Sequence, residues 1–380
     1  MRRLFSVLII LVVTFLGFSA CEQKSQAEIV VSPDTDSCET SYDTAYAAWM
    51  AAKATKIDSF FIDKLARHQF NGTVLFADQG NVIIRKVYGY ANIRAGDTLT
   101  LDSRFQLASV SKPITAMAVL YLADQGYLSL EDSIQKYYPL FPYEGITIRM
   151  LLTHRSGLPN YMYFSEDHWL NRQQPITNQD VVCLMQTYQP TIYYLPDFRY
   201  NYSNTNYALL AAIIEKVSGH PFRVFMEDYF FDILQMYDTQ VYAKAEGVMP
   251  DQWTVGYDRG REAEDNYLNG VTGDKGVYST VDDLFKLDQA LYQPHFLSNG
   301  ILQDAFTAAN PELHAHDNYG LGWRINEQPD CSKMVYHSGW WKGYRTHFIR
   351  ILDKEQTIIV LSNVNRSRFI KIEELVSLLE

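Results

Sequence analysis

Apolar and polar positions divide the chain into an apolar head, a short polar stretch and a long patterned body. In the body, residues 57–70 place Ile57, Phe60, Phe61, Lys64 and Leu65 at helical spacing, with Asp58 early, and predict a helix. Gly72 to Tyr88 is two β-rich runs around Asp78-Gln79-Gly80-Asn81, a hairpin pattern. Pro113 to Gly126 is apolar on nearly every side until Asp124, and a helix without a polar face is a buried one. From there to about residue 270 the pattern gives mostly helices and aromatic loops. Tyr207 to Val217 is a helix closed by Ser218-Gly219, and Val281 to Leu291 is another with acids in its first turn. The tail turns strand-like at Tyr319–Ile325, Lys333–His337, Arg345–Leu352 and Thr357–Ser362. Asp353 to Gln356 makes a hairpin loop, and Ile370 to Leu379 closes the chain as a helix. Strands at both ends with helices between predict an α/β (α+β) fold. One sheet is built from the two terminal segments, beside a mostly helical middle subdomain at about residues 117–270.

The head changes where the protein is expected to work. Arg2 and Arg3 precede the run Leu4 to Phe18, which at about fifteen residues falls short of the roughly twenty a spanning helix needs. A basic start, a short apolar core and small residues at its end read as a signal peptide over residues 1–20. Ser19-Ala20-Cys21 resembles a bacterial lipobox, with Phe18 where Leu is usual, so Cys21 is expected to carry the lipid. Residues 21–45 are polar and read as a flexible tether, which puts Cys38 outside any structural role. The folded domain is then 46–380, lipid-anchored in the cell envelope, periplasmic or facing outward.

Composition excludes more than it selects. Hydrophobic residues at 47% and charged residues at 20% are ordinary for a globular domain. The net charge is −11, and loss of Arg2 and Arg3 with the head makes it two units more negative. An acidic chain without a basic, aromatic-interleaved stripe is not expected to bind nucleic acid. The cysteines Cys21, Cys38, Cys183 and Cys331 contain no C-x-x-C pair, and no pairing among them follows. His314 and His316 form H-x-H without a third ligand cluster, so no metal and no cofactor is expected.

Candidate chemistry centres on Ser109 and Lys112, an S-x-x-K spacing at the start of the buried helix. Three residues apart, both side chains share one helix face. Free N–H groups at a helix start favour developing negative charge, and an ammonium one turn on can lower a hydroxyl pKa. S-x-x-K alone is weak, because an N-cap serine and a solvated lysine produce it by chance. Two further strings change the weight: Tyr202-Ser203-Asn204 before the Tyr207 helix, and His337-Ser338-Gly339 after a strand.

With these three strings the sequence resembles the serine β-lactamase and penicillin-binding protein superfamily, whose pattern is S-x-x-K, then S-D-N or Y-x-N, then K-T-G. Leu151-Leu-Thr-His-Arg-Ser-Gly-Leu-Pro, Gly276-Val-Tyr-Ser-Thr-Val-Asp-Asp-Leu and Tyr319-Gly-Leu-Gly-Trp add to the likeness, in the family's order, over roughly residues 56–375. Tyr in the second string points to the class C-like branch, which includes esterases, D-amino-acid peptidases and DD-carboxypeptidases. The resemblance implies a β-lactamase/transpeptidase-like antiparallel sheet flanked by helices. It implies a serine hydrolase that acts through an acyl-enzyme on a small-molecule or peptide substrate, with the cell wall as one source. Ser109 would be the nucleophile, Lys112 would hold the proton network and Tyr202 would be the base. Asn204 would orient Lys112 and the substrate, and the backbone N–H groups of Ser109 and Trp340, beside Gly339, would form the oxyanion hole. The departure is His337 in place of the third-motif lysine. Unperturbed near ~6.5, histidine is mostly neutral at pH 7, which argues against an efficient β-lactamase and toward an esterase or peptidase. The alternative is a silent module that only binds a cell-wall peptide or a partner protein. His154 is expected to brace its loop, Glu166 only faintly matches a deacylating glutamate, and Tyr161 to Phe164 are candidates for a cleft wall.

Overall fold

The structure, a computed structural model, describes residues 36–249, 252–293, 295–314, 317–327, 332–366 and 370–380. The head, Cys21, His316 and Cys331 lie outside them. The first helix, α1, runs Asp36–Ala66. It therefore begins inside the stretch read as tether, and Cys38 belongs to a helix. The compact unit that carries the fold is Trp49–Glu380.

Its largest sheet has seven strands, numbered here in chain order: β1 Gly72–Asp78, β2 Asn81–Tyr88, β3 Asn318–Tyr319, β4 Arg324–Glu327, β5 Lys333–Trp341, β6 Tyr344–Ile351 and β7 Gln356–Ser362. The spatial order is β3-β4-β5-β6-β7-β1-β2. The two ends of the chain meet where β1 pairs antiparallel with β7, Val74 opposite Val360. The expected strand over 319–325 is instead two short strands with a turn between. Gly322, at φ +91°, makes that turn, and a Cβ there would sit 2.3 Å from Ala116 Cβ of the buried helix.

Side chains alternate across the sheet with period two. One face, formed by residues such as Val74, Phe76, Ile349 and Ile358, packs on Ile57 and Phe61 of α1 and on Leu375 of the closing helix, Ile372–Val376. The other face, with Leu75, Phe348, Ile359 and Leu361, covers the main core. Buried in that core are α2, Ser111–Asp124, and α3, Asn204–Ser218. α2 is buried from Ser111 to Leu120, as a helix without a polar face must be.

Candidate active site

Ser109 lies in a short 3₁₀ turn, Ala108–Val110, that leads straight into α2. The turn is strained: Ala108, fully buried, has φ +52°, a region costly for a residue with a Cβ. Two strands hold it there. Thr346 Oγ1 of β6 donates to the Leu107 carbonyl at 2.7 Å. On β5, a Cβ at Gly339 would come within 2.2 Å of that same carbonyl oxygen, so only glycine lets the strand pass so close. β4 pairs with β5 only as far as Tyr336, leaving the edge from His337 to Trp341 free beside the turn.

The free edge, the Ser109 turn and the loop before α3 enclose a cleft of about 560 Å³, lined among others by Ser109, Tyr202, Asn204, Arg324, His337 and Trp340. Lys112 Nζ donates to Ser109 Oγ at 3.1 Å and to the Asp274 carbonyl at 2.9 Å. The lysine is fully buried. Desolvation pulls its pKa down to about 7, with Arg324 lowering it further and Asp274 opposing. Tyr202 lines the cleft beside Ser109. Burial pushes its phenol up to about 12, against the pull of the hydrogen bond from Ser109 and of Arg324. The tyrosine ring lies 5.0 Å from Lys112 Nζ and 5.7 Å from the Arg324 guanidinium carbon. Ser109 thus has beside it a lysine whose charge burial pulls toward neutrality and a phenol that burial keeps protonated.

The Beta-lactamase family matches residues 57–378, nearly all of the patterned body. The chain belongs to this family. It is 39% identical over 311 residues to Penicillin-binding protein 4* of Bacillus subtilis, covering 78% of this chain and 69% of that one. A solved penicillin-binding protein from Bacillus halodurans superposes with a TM-score of 0.68 at 26% identity, covering 80% of this chain and 94% of that one. D-amino acid amidase from Ochrobactrum anthropi has the same fold, with a TM-score of 0.72 at 22% identity over 87% and 97% of the two chains. The expected β-lactamase/transpeptidase fold is therefore the observed one.

Within this family frame, Ser109, Lys112 and Tyr202 come together and Asn204 lines the same cleft, but its side chain does not hold Lys112. Its amide donates to Met162 Sδ at 3.3 Å, and Lys112 is held by the Asp274 carbonyl instead. His337 is 1% exposed and neutral, because burial and then the charges of Arg324 and Lys112 drive its pKa well below the usual value. Its Nδ1–H faces the Ser338 carbonyl at 3.0 Å, so Nε2 accepts the Tyr319 hydroxyl at 3.2 Å. Trp340 is exposed at the lip, and Arg345 stacks on its ring at 5.3 Å. His154 braces its loop: Nδ1 accepts the Ser203 N–H at 3.2 Å, and the ring packs 4.3 Å from that of Tyr202. Met162 and Tyr163 wall the cleft, whereas Tyr161 is buried beneath it and Glu166 is exposed outside it. Cys183 is exposed with a free thiol. Among the described residues, no three His, Cys, Asp or Glu side chains gather as a metal site.

Three residues of the site escaped the sequence reading, Arg324, Asp274 and Lys275, and Tyr161, expected in the cleft wall, lies beneath it instead. Arg324 reaches the cleft because register sets it opposite Tyr336, one residue before His337. The neighbouring strand therefore supplies a permanent cation where the third string has none. Asp274 and Lys275 lie directly before the family-like string that begins at Gly276, so extending that string by two residues would have reached them.

Proposed function

We propose that the protein is a class C-like serine hydrolase that cleaves an ester or amide through an acyl-enzyme on Ser109. One observation carries this reading: a fully buried lysine with a pKa of about 7 donates to the Ser109 hydroxyl at 3.1 Å at the edge of an open cleft. A base whose pKa matches the working pH combines availability with driving force. Neutral Lys112 accepts the Ser109 proton as Oγ bonds to the substrate carbonyl carbon, whose oxygen takes the negative charge. The backbone N–H groups of Ser109 and Trp340 receive that oxyanion. Tyr202, protonated at rest, gives its proton to the leaving oxygen or nitrogen as the bond to carbon breaks, and Lys112 returns a proton to the phenol. Water then repeats the sequence on the acyl-enzyme and frees the acid. This assigns the first proton to Lys112 rather than to Tyr202, because the phenol sits near 12 and the ammonium near 7. The two groups titrate as a coupled pair.

Arg324 gives the cleft a fixed positive charge that neutral His337 does not, which fits a small ester or peptide with an anionic group. A module that only binds has no use for a buried lysine tuned to neutral pH. Cys21 is proposed as the lipidated mature N-terminus, which places the enzyme in the bacterial envelope with cell-wall peptides within reach. Intact mass of the native protein should show acyl chains on Cys21, and a free N-terminus would overturn the anchor. For the chemistry, a neutral alkyl fluorophosphonate should label the wild type covalently and leave Ser109→Ala unlabelled. No labelling of folded wild type would refute the acyl-enzyme reading.

A further inference from the structure

Beneath the cleft lies a buried group of charges that the chemistry above does not use. Asp274 and Lys275 are 1% and 3% exposed, adjacent in sequence, and both border the cleft. Lys275 Nζ donates to Tyr161 Oη at 2.6 Å and to the Val271 carbonyl at 3.2 Å, and lies 3.4 Å from Asp274 Oδ1. The Tyr161 hydroxyl donates to Asp274 Oδ2 at 3.0 Å. Tyr161 and Lys275 thus hold both oxygens of the Asp274 carboxylate, and Trp341 covers Lys275 with its ring centroid 5.4 Å from Nζ. The Asp274 peptide carbonyl is the one that accepts from Lys112 Nζ. Removing one partner of such a buried pair leaves an uncompensated charge, so both are held together.

We propose that Asp274, clamped by Lys275 and Tyr161, is a positioning residue that aims Lys112 at Ser109 and sets the pH at which Lys112 becomes a base. The carbonyl fixes the direction of Nζ. The two side-chain charges act on it from one side, while the other groups around Lys112 come from elsewhere: Tyr202, Tyr207, His154 and His337 as neutral rings, and Arg324 as a fixed cation. The negative carboxylate favours the Lys112 ammonium, and the positive Lys275 disfavours it. A pair that served packing alone would leave the titration of Lys112 where it is when either charge is neutralised.

The inference rests on the acyl-enzyme reading, and one measurement separates the two. The rate of Ser109 labelling by a neutral alkyl fluorophosphonate is followed from pH 5 to 10, so no substrate need be known. Wild type should show a rising limb centred near 7, as Lys112 loses its proton. Asp274→Asn removes the negative neighbour, lowers the Lys112 pKa and should move the limb down by about one pH unit. Lys275→Met removes the positive neighbour and should move it up by a similar amount. D274N/K275M should return it toward the wild-type position, a rescue that simple damage would not produce. Limbs that stay in place in folded variants, or that move in the same direction in both, would overturn the proposal. If only one single variant folds, its direction decides. Labelling that is absent or flat with pH in wild type would instead refute Lys112 as the base.

Discussion

The two faces of the central sheet bury side chains by opposite rules. Behind it, α1 and the closing helix cover an almost wholly apolar layer. Phe61 packs there against the rings of Phe70 at 4.8 Å, Tyr88 at 5.6 Å and, edge to face, Phe76 at 6.0 Å. At its margin Asp58 takes the Tyr88 hydroxyl and Lys86 at 2.8 Å each, and within it His347 bonds Ser338 and the Ile370 carbonyl. In front, the same sheet covers a core that contains Lys112, His154, Asp274, Lys275 and His337, each nearly or fully buried. Burying an ionisable group without partners costs several kcal/mol, and most groups respond by shedding charge. On this face the two histidines are neutral and Lys112 is pulled down to about 7. Arg350 and Asp288 show that the face also holds an ordinary structural pair, fully buried at 2.5 Å. Unlike that pair, Lys112 has no carboxylate within its hydrogen bonds, only a hydroxyl and a carbonyl. Its charge is therefore free to change, whereas the back face buries His347, whose pKa desolvation pulls down to about 4 so that it stays neutral at pH 7.

The sharpest way to break the contrast is at Ser109. Ser109→Ala should abolish turnover of any ester the wild type cleaves, leaving only what binding and the oxyanion donors supply, a loss of about 10³-fold or more. Its melting temperature should stay within a degree or two, because Ser109 is not part of the apolar packing. Tyr202→Phe comes next. It keeps the ring against His154 and deletes only the proton carrier, so turnover should fall by about 10²–10⁴-fold. The two losses should not add, since both residues serve one step. Turnover near wild type in either variant, measured on p-nitrophenyl esters, would break the assignment.

On the back face the expected result is reversed. Phe61→Ala should cost about 3–5 kcal/mol of stability, as large-to-small changes in packed aromatic cores do. Urea unfolding followed by tryptophan fluorescence would measure it. Activity per folded molecule should be unchanged, because no atom of Phe61 borders the cleft. A fall in kcat of the folded fraction would mean that the two faces are coupled through the sheet.

The same division explains what could be read from sequence. The apolar layers repeat with period two or with helical spacing, so the β1–β2 hairpin, the buried α2 helix and the β6–β7 hairpin were visible in the pattern. The S-x-x-K and Y-x-N strings were visible because the chemistry fixes their local spacing. The strand expected over 319–325 failed because Gly322 turns the backbone there, and an apolar run does not show a turn. The start of α1 at Asp36 failed because its first residues are polar and carry no period. Arg324 was invisible for a different reason. It acts on Lys112 from 212 positions away in the chain, through strand register rather than spacing, and a lone arginine after Gly-Trp carries no signal of that.

Arg324 also gives the smallest and most diagnostic test. Its guanidinium lies beside Tyr202 and lowers the pKa of Lys112, His154 and His337 together. Arg324→Gln removes that cation and keeps a side chain of similar reach. The ammonium of Lys112 is then less disfavoured, so its pKa rises. Reaction through neutral Lys112 is present above that pKa and lost below it, so the rising limb of the pH profile should move up from about 7. The shift should be less than about one pH unit, because Arg324 is partly exposed and water screens it. A neutral fluorophosphonate as probe keeps any loss of anionic substrate binding out of the measurement. With an anionic ester the same variant should show a raised KM as well, separating the role in binding from the role in tuning. Labelling that falls rather than rises as pH passes through about 7 would mean that the reactive form contains protonated Lys112, and the first proton would then belong to Tyr202.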